Sequence, residues 1–117
     1  MTAAEFCRVI AEIESSNVAT AWGDGGRAMG RYQVHPAWVW TYATAFKLPP
    51  ADFEKWDDWV FGLVAQFFAH YSTADGPLEV AMRFHLGHAS RMSDAEWDGE
   101  YAAKFFEAAV QLGIALN

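Results

Sequence analysis

At 117 residues the chain is long enough for one domain with a real core and too short for two. Eight basic against fifteen acidic residues leave a net charge of −7, which argues against nucleic-acid binding and against binding to an anionic membrane. Cys7 is the only cysteine, so an internal disulfide is impossible and a cysteine-based metal site is not expected.

Thr2-x-x-Glu5 is a capping-box pattern that opens a helix running through about Ser15. Phe6, Val9, Ile10 and Ile13 make its buried stripe. At ~100° per residue, Glu14 falls on the edge of that stripe, about 40° past Ile10, and Glu12 points away. A half-buried carboxyl at a helix C-terminus suffers both desolvation and the negative end of the helix dipole, so its pKa is expected to rise. An acid held protonated near neutrality can serve as a general acid; the plainer reading is an exposed glutamate at a helix end.

Ala19 to Val34 carries Gly23, Gly25, Gly26 and Gly30, too many glycines for a helix, and reads as a loop or a short irregular hairpin. Asp24 ahead of Gly25-Gly26 is a turn residue on the simplest reading, and the glycines call for at least one positive φ. Gly30 is expected where the chain passes close to Glu14 or to a ligand. Pro36 sets the first turn of a second helix over Ala37 to Phe46, and Lys47-Leu48-Pro49-Pro50 breaks it. Trp38, Trp56 and Trp59 lie at helical spacings that suit a core better than a cleft. A short turn from Ala51 leads to the main apolar helix, Asp57 to Tyr71, which is expected to be the central buried one.

Ser72 to Gly76 is a turn. Pro77 opens a fourth helix to about Leu86, closed by Gly87 and carrying Arg83, Phe84 and His85. Ser93-x-x-Glu96 is a second capping box, opening a last helix from about Asp94 to Leu116, with Trp97, Tyr101, Phe105, Ala109, Leu112 and Leu116 on one face. The expected fold is therefore mainly α, about five helices around a central one, with a single irregular or β-hairpin segment that holds two acids. Residues 1–117 form one domain on this reading. Two carboxyls flanking one loop are what cleavage of a glycosidic bond needs: one protonates the leaving oxygen, the other handles the cation or the water.

Glu14-Ser15 followed by Gly30-x-x-Gln33 and Pro36 resembles the lytic-transglycosylase pattern of the lysozyme-like superfamily, Glu-Ser ahead of Gly-Leu-Met-Gln and Pro. Arg83-Phe84-His85-Leu86-Gly87 lies where that family carries Ala-Tyr-Asn-Ala-Gly, and Tyr101 matches a helix tyrosine lining the cleft. Asp24, Gly30-Arg31-Tyr32-Gln33-Val34 and Arg83-x-His85-x-Gly87 are similar to invertebrate-type lysozymes and related phage proteins, with Arg31 standing in place of Pro or Leu.

The resemblance implies a lysozyme-like fold and a muramidase that cleaves the β-1,4 bond between N-acetylmuramic acid and N-acetylglucosamine in peptidoglycan. Glu14 and Asp24 would be catalytic, and Ser15, Tyr32, Gln33, Phe84, His85 and Tyr101 would bind substrate or orient Glu14, with no metal and no cofactor. Two alternatives stay open: a lytic transglycosylase with Glu14 as sole acid and base, and a non-catalytic glycan-binding or phage structural domain. The start Met1 to Glu5 lacks a basic n-region and an apolar h-region, and no apolar run approaches a membrane span. The chain is thus expected to be made in the cytoplasm as a monomer without membrane insertion, to be phage-encoded, and to reach its partner, the glycan strands of the wall, through a holin or a phage particle.

Overall fold

The fold starts from a helix whose first turn satisfies its own backbone. In the computed structural model, which describes residues 1–87 and 97–116, α1 spans Ala3–Ser15. The Thr2 hydroxyl accepts from the Glu5 amide at 3.0 Å and the Glu5 carboxylate accepts from the Thr2 amide at 2.8 Å, so two orphan donors are closed reciprocally. Phe6, Cys7, Val9, Ile10 and Ala11 are buried. Ser16 then turns left-handed (φ 54°) and ends the helix immediately after Glu14 and Ser15.

The glycine-rich stretch is a hairpin. Strands β1 (Trp22–Gly23) and β2 (Ala28–Met29) pair antiparallel, Trp22 opposite Met29 and Gly23 opposite Ala28. A 3₁₀ turn over Asp24–Gly26 joins them. Asp24, Gly25 and Gly26 all take positive φ, at 52°, 66° and 89°, conformations that favour Asp, Asn and Gly. Past the hairpin, Met29 bridges back to Val34.

Two ties fasten this segment to the helices. The Ser15 hydroxyl donates to the Arg31 carbonyl at 2.7 Å and accepts from the Val18 amide at 3.0 Å. The Arg31 guanidinium spans Asp57, at 3.2 Å from both Nε and Nη2, and the Asn17 carbonyl at 3.1 Å.

Pro36 opens α2 (Pro36–Ala45), and a 3₁₀ turn over Phe53–Lys55 capped by Asp52 leads into α3 (Trp56–Tyr71). Val60, Leu63, Val64, Phe67 and Phe68 of α3 are buried, and the helix packs on α1 and α2 and on α4 (Pro77–Leu86). It is the core helix expected, although Phe61, Gln66, Ala69 and His70 leave one side open to solvent. Gly87 caps α4 with φ 71°.

The last helix, α5 (Gly99–Leu112), packs on α1 and α4. It is shorter than the sequence suggests. The Asp98 carboxylate accepts from the Glu100 and Tyr101 amides, each at 3.1 Å, so the helix starts there, and Trp97 stands outside it, 41% exposed. Gly113, left-handed at φ 68°, stops it before Leu116. The expected cap pair Ser93 and Glu96, with Asp94, lies outside the described residues.

The architecture is thus mainly helical, five helices and one two-stranded antiparallel hairpin among the described residues. The buried apolar side chains form one continuous cluster with Phe6, Phe67 and Phe105 at its centre. Among the described residues, no helix is long and apolar enough to cross a membrane.

Candidate active site

The end of α1, the hairpin, the start of α2 and the end of α4 surround one cleft of about 680 Å³. Glu14 and Asp24 both line it. Gln33, Val34 and His35 continue the wall from the hairpin side, Trp38, Thr41 and Tyr42 come from α2, and Phe84 to Gly87 close the far end.

Glu14 is half-buried. Removal from water pushes its carboxyl up from the ordinary 4.5 to about 7, and the Lys104 ammonium on α5 opposes that rise. The stripe argument therefore placed the residue correctly: one step past Ile13, the side chain leaves the core and meets the cleft while still largely desolvated. Such a group is neutral for much of the time near pH 7 and can donate a proton.

Asp24 stands at the hairpin tip, 59% exposed. The turn uses its backbone, since the Asp24 carbonyl accepts from the Arg27 amide at 3.3 Å. Its carboxylate is not tied up in the turn. Oδ2 lies 3.2 Å from His35 Nε2, inside the cleft.

Beside Glu14 a second group assembles from α4 and α5. His85 stacks face to face on Tyr101, with centroids 3.9 Å apart and planes 10° from parallel. Its Nε2 is 3.0 Å from Asp98 Oδ2. Hydrogen bonds from the Tyr101 amide first, then from His85, hold the Asp98 carboxyl below its usual range. The Tyr101 hydroxyl is buried without a hydrogen-bond partner among the described residues. Burial, and after it the charges of Glu14 and Asp98, keep that phenol well above its ordinary value.

The remaining expected site residues divide. Phe84 lines the cleft and is 8% exposed, its ring edge-on to Trp38 at 5.1 Å. Gln33 lines the cleft but its amide works on the loop, donating to the Gly30 carbonyl at 2.8 Å and the Ala21 carbonyl at 3.3 Å. Its Oε1 lies against Gly23, so a Cβ there would require the Gln33 amide to move.

Two expectations are corrected. Tyr32 is in the core, 5% exposed, with burial raising its phenol, so it presents no ring for stacking on a sugar. Ser15 spends its hydroxyl on the Ala11 and Arg31 carbonyls and the Val18 amide; it fixes the loop to the helix end rather than facing the cleft. Gly30 is also displaced from its expected place. It lines a second, smaller cavity of about 250 Å³ walled by Trp22, Phe53 and Trp56, on the other side of the hairpin.

Sequence reasoning assigned Trp38 to the core and gave His35, Thr41 and Tyr42 no role. Trp38 does both jobs: it packs on Tyr42 and Phe67 at 5.0 and 5.6 Å and lines the cleft. The available signal was spacing, since Trp38, Thr41 and Tyr42 fall at i, i+3 and i+4 and share one helix face. Among the described residues, no group of three or more His, Cys, Asp or Glu is placed to hold a metal ion.

No protein-family model matches the chain, and neither a curated protein nor a solved structure matches it. The class of the site rests on its own chemistry: a raised carboxyl and an exposed carboxylate bordering one aromatic-walled cleft.

Proposed function

We propose that this cleft cleaves the β-1,4 bond between N-acetylmuramic acid and N-acetylglucosamine in peptidoglycan, as a lysozyme-like muramidase. Glu14 protonates the leaving oxygen. Asp24 attacks the anomeric carbon or positions the water, the second task that such a cleavage requires. His85, Phe84 and Trp38 offer polar and aromatic surface to the sugars.

The observation that carries the reading is Glu14 itself, raised to about 7 by burial at the edge of an open cleft. The Glu-Ser and Gly-x-x-Gln motifs around it and the presence of Asp24 on the same cleft support it. A second reading is a lytic transglycosylase in which Glu14 works alone as acid and then base, and the sugar's own hydroxyl attacks. The exposure of Asp24 favours that reading.

The test is to digest purified peptidoglycan and weigh the fragments. Hydrolysis leaves reducing ends, whereas transglycosylation leaves anhydro ends lighter by one water, ~18 Da, because the attacking oxygen is the sugar's own. Reducing ends are expected. Anhydro ends would move the assignment to the second reading, and release of nothing would leave a glycan-binding domain.

A further inference from the structure

We propose that His35 is a positioning residue that holds the Asp24 carboxylate in the cleft; the inference rests on the reading of Asp24 as the second acid. Asp24 lacks local support for its side chain. It sits on a 3₁₀ turn at φ 52°, followed by Gly25 and Gly26, both also at positive φ. The local backbone gives its side chain no support. Neither the turn nor the strands accept or donate a hydrogen bond to the carboxylate, and His35 Nε2 at 3.2 Å is its one partner among the described residues. A carboxylate on a three-residue tip has to be pinned from elsewhere if it is to meet a sugar carbon or a water at a defined distance.

His35 is built to supply that pin. It precedes Pro36, and the proline ring confines the preceding residue to extended backbone; His35 is at φ −90°, ψ 147°. It also occupies the N-cap position of α2, yet its side chain makes no capping bond. Its carbonyl accepts from the Val39 amide at 3.0 Å, so the helix is already anchored through the backbone. The imidazole is thereby free of structural duty and comes off a rigid helix start toward the hairpin tip. Nε2 lies 3.2 Å from Oδ2, an ion-pair contact when the imidazole is protonated, and leaves Oδ1 as the oxygen available to the reacting centre. The other titratable groups around the same cleft are Glu14, Tyr42 and His85, each on a different element.

Both side chains are substantially exposed, 45% for His35 and 59% for Asp24. Exposed pairs contribute little to stability, so loss of the imidazole should leave the melting temperature where it is. Any effect then reads positioning rather than folding.

The experiment is a double-mutant cycle on soluble glycan strands, with kcat and KM measured for the parent, His35→Ala, His35→Gln, Asp24→Asn and the Asp24→Asn/His35→Ala pair. His35→Ala is expected to lower kcat ~10- to 100-fold, the scale of a misplaced reacting group, with KM little changed. His35→Gln, which can still present an Nε2 donor, should recover most of the loss. In the Asp24→Asn background the same alanine should add almost nothing.

Equal losses in both backgrounds, or parental kinetics in His35→Ala, would each overturn the proposal. Parental activity in Asp24→Asn beside a dead Glu14→Gln would overturn it too, while leaving Glu14 as the acid. Parental activity in Glu14→Gln would instead reject the functional reading of the cleft.

Discussion

The two acids of the cleft sit on opposite kinds of scaffold. Glu14 rides the last turn of a thirteen-residue helix whose stripe is the core, and burial lifts its carboxyl to about 7. Asp24 rides a hairpin tip in left-handed backbone, mostly in water, with His35 3.2 Å from its carboxylate. On the proposed reading, environment rather than residue type assigns the two acids their roles. A helix end delivers desolvation because the next element packs on it; a hairpin tip delivers reach. The pair uses one of each.

The largest expected effect breaks the comparison at its buried end. Glu14→Gln keeps the shape but cannot protonate an alkoxide, and clearance of cell-wall suspensions should fall ~10²–10⁴-fold. Glu12→Gln, whose carboxylate pairs with Arg8 at 2.9 Å on the outer face, should clear at the parental rate.

The same substitution separates the two acids thermodynamically. Because burial raises the folded-state pKa of Glu14, the charged form penalises the native state. The penalty is absent below about 4.5, grows as pH rises, and is complete above about 7. Denaturant unfolding should therefore show Glu14→Gln equal to the parent at pH 4 and more stable at pH 8, by at most about 3 kcal/mol. The rate of glycan cleavage should fall over the upper part of that window, as the donor loses its proton.

Substitutions in the loop between the acids should have smaller effects. Gly30→Val forces a β-branched residue to φ 77° and should cost ~1–2 kcal/mol by thermal melting. The added Cβ meets only the Ala19 carbonyl at 3.6 Å and the Trp56 indole nitrogen at 4.0 Å. Activity measured well below the melting point should persist, since Gly30 borders the other cavity. Arg31→Ala releases Asp57 and Asn17 and should cost ~1 kcal/mol. Its effect on kcat should be modest, since the arginine braces the hairpin from behind.

What could be read beforehand was whatever is encoded locally. Thr2 with Glu5, Pro36, Pro77 and Gly87 mark helix ends through their own backbone chemistry, and each element begins or ends where those residues require. Glu14 was legible because one helix turn relates it to Ile10. What escaped depended on contacts between elements. Tyr32 and Ser15 sit beside the right motifs in sequence, but side-chain direction is decided by Arg31 and α1 packing around them. Trp38 looked like core because a helix face does not reveal where the layer above it stops. Asp98, one residue before the start of α5, caps that helix through its carboxylate, a role the sequence reading did not give it. His35 has no periodic signature at all; only the hairpin brings Asp24 within 3.2 Å of it.

The claim at the centre of this account is that burial at the end of α1 keeps Glu14 protonated near neutral pH. Its side-chain carboxyl carbon can be followed directly by ¹³C NMR through a pH titration of the folded protein, with Glu14→Gln assigning the signal. A midpoint at about 7 is the predicted result. A midpoint at the ordinary 4.5 would contradict it and leave the cleft without a proton donor.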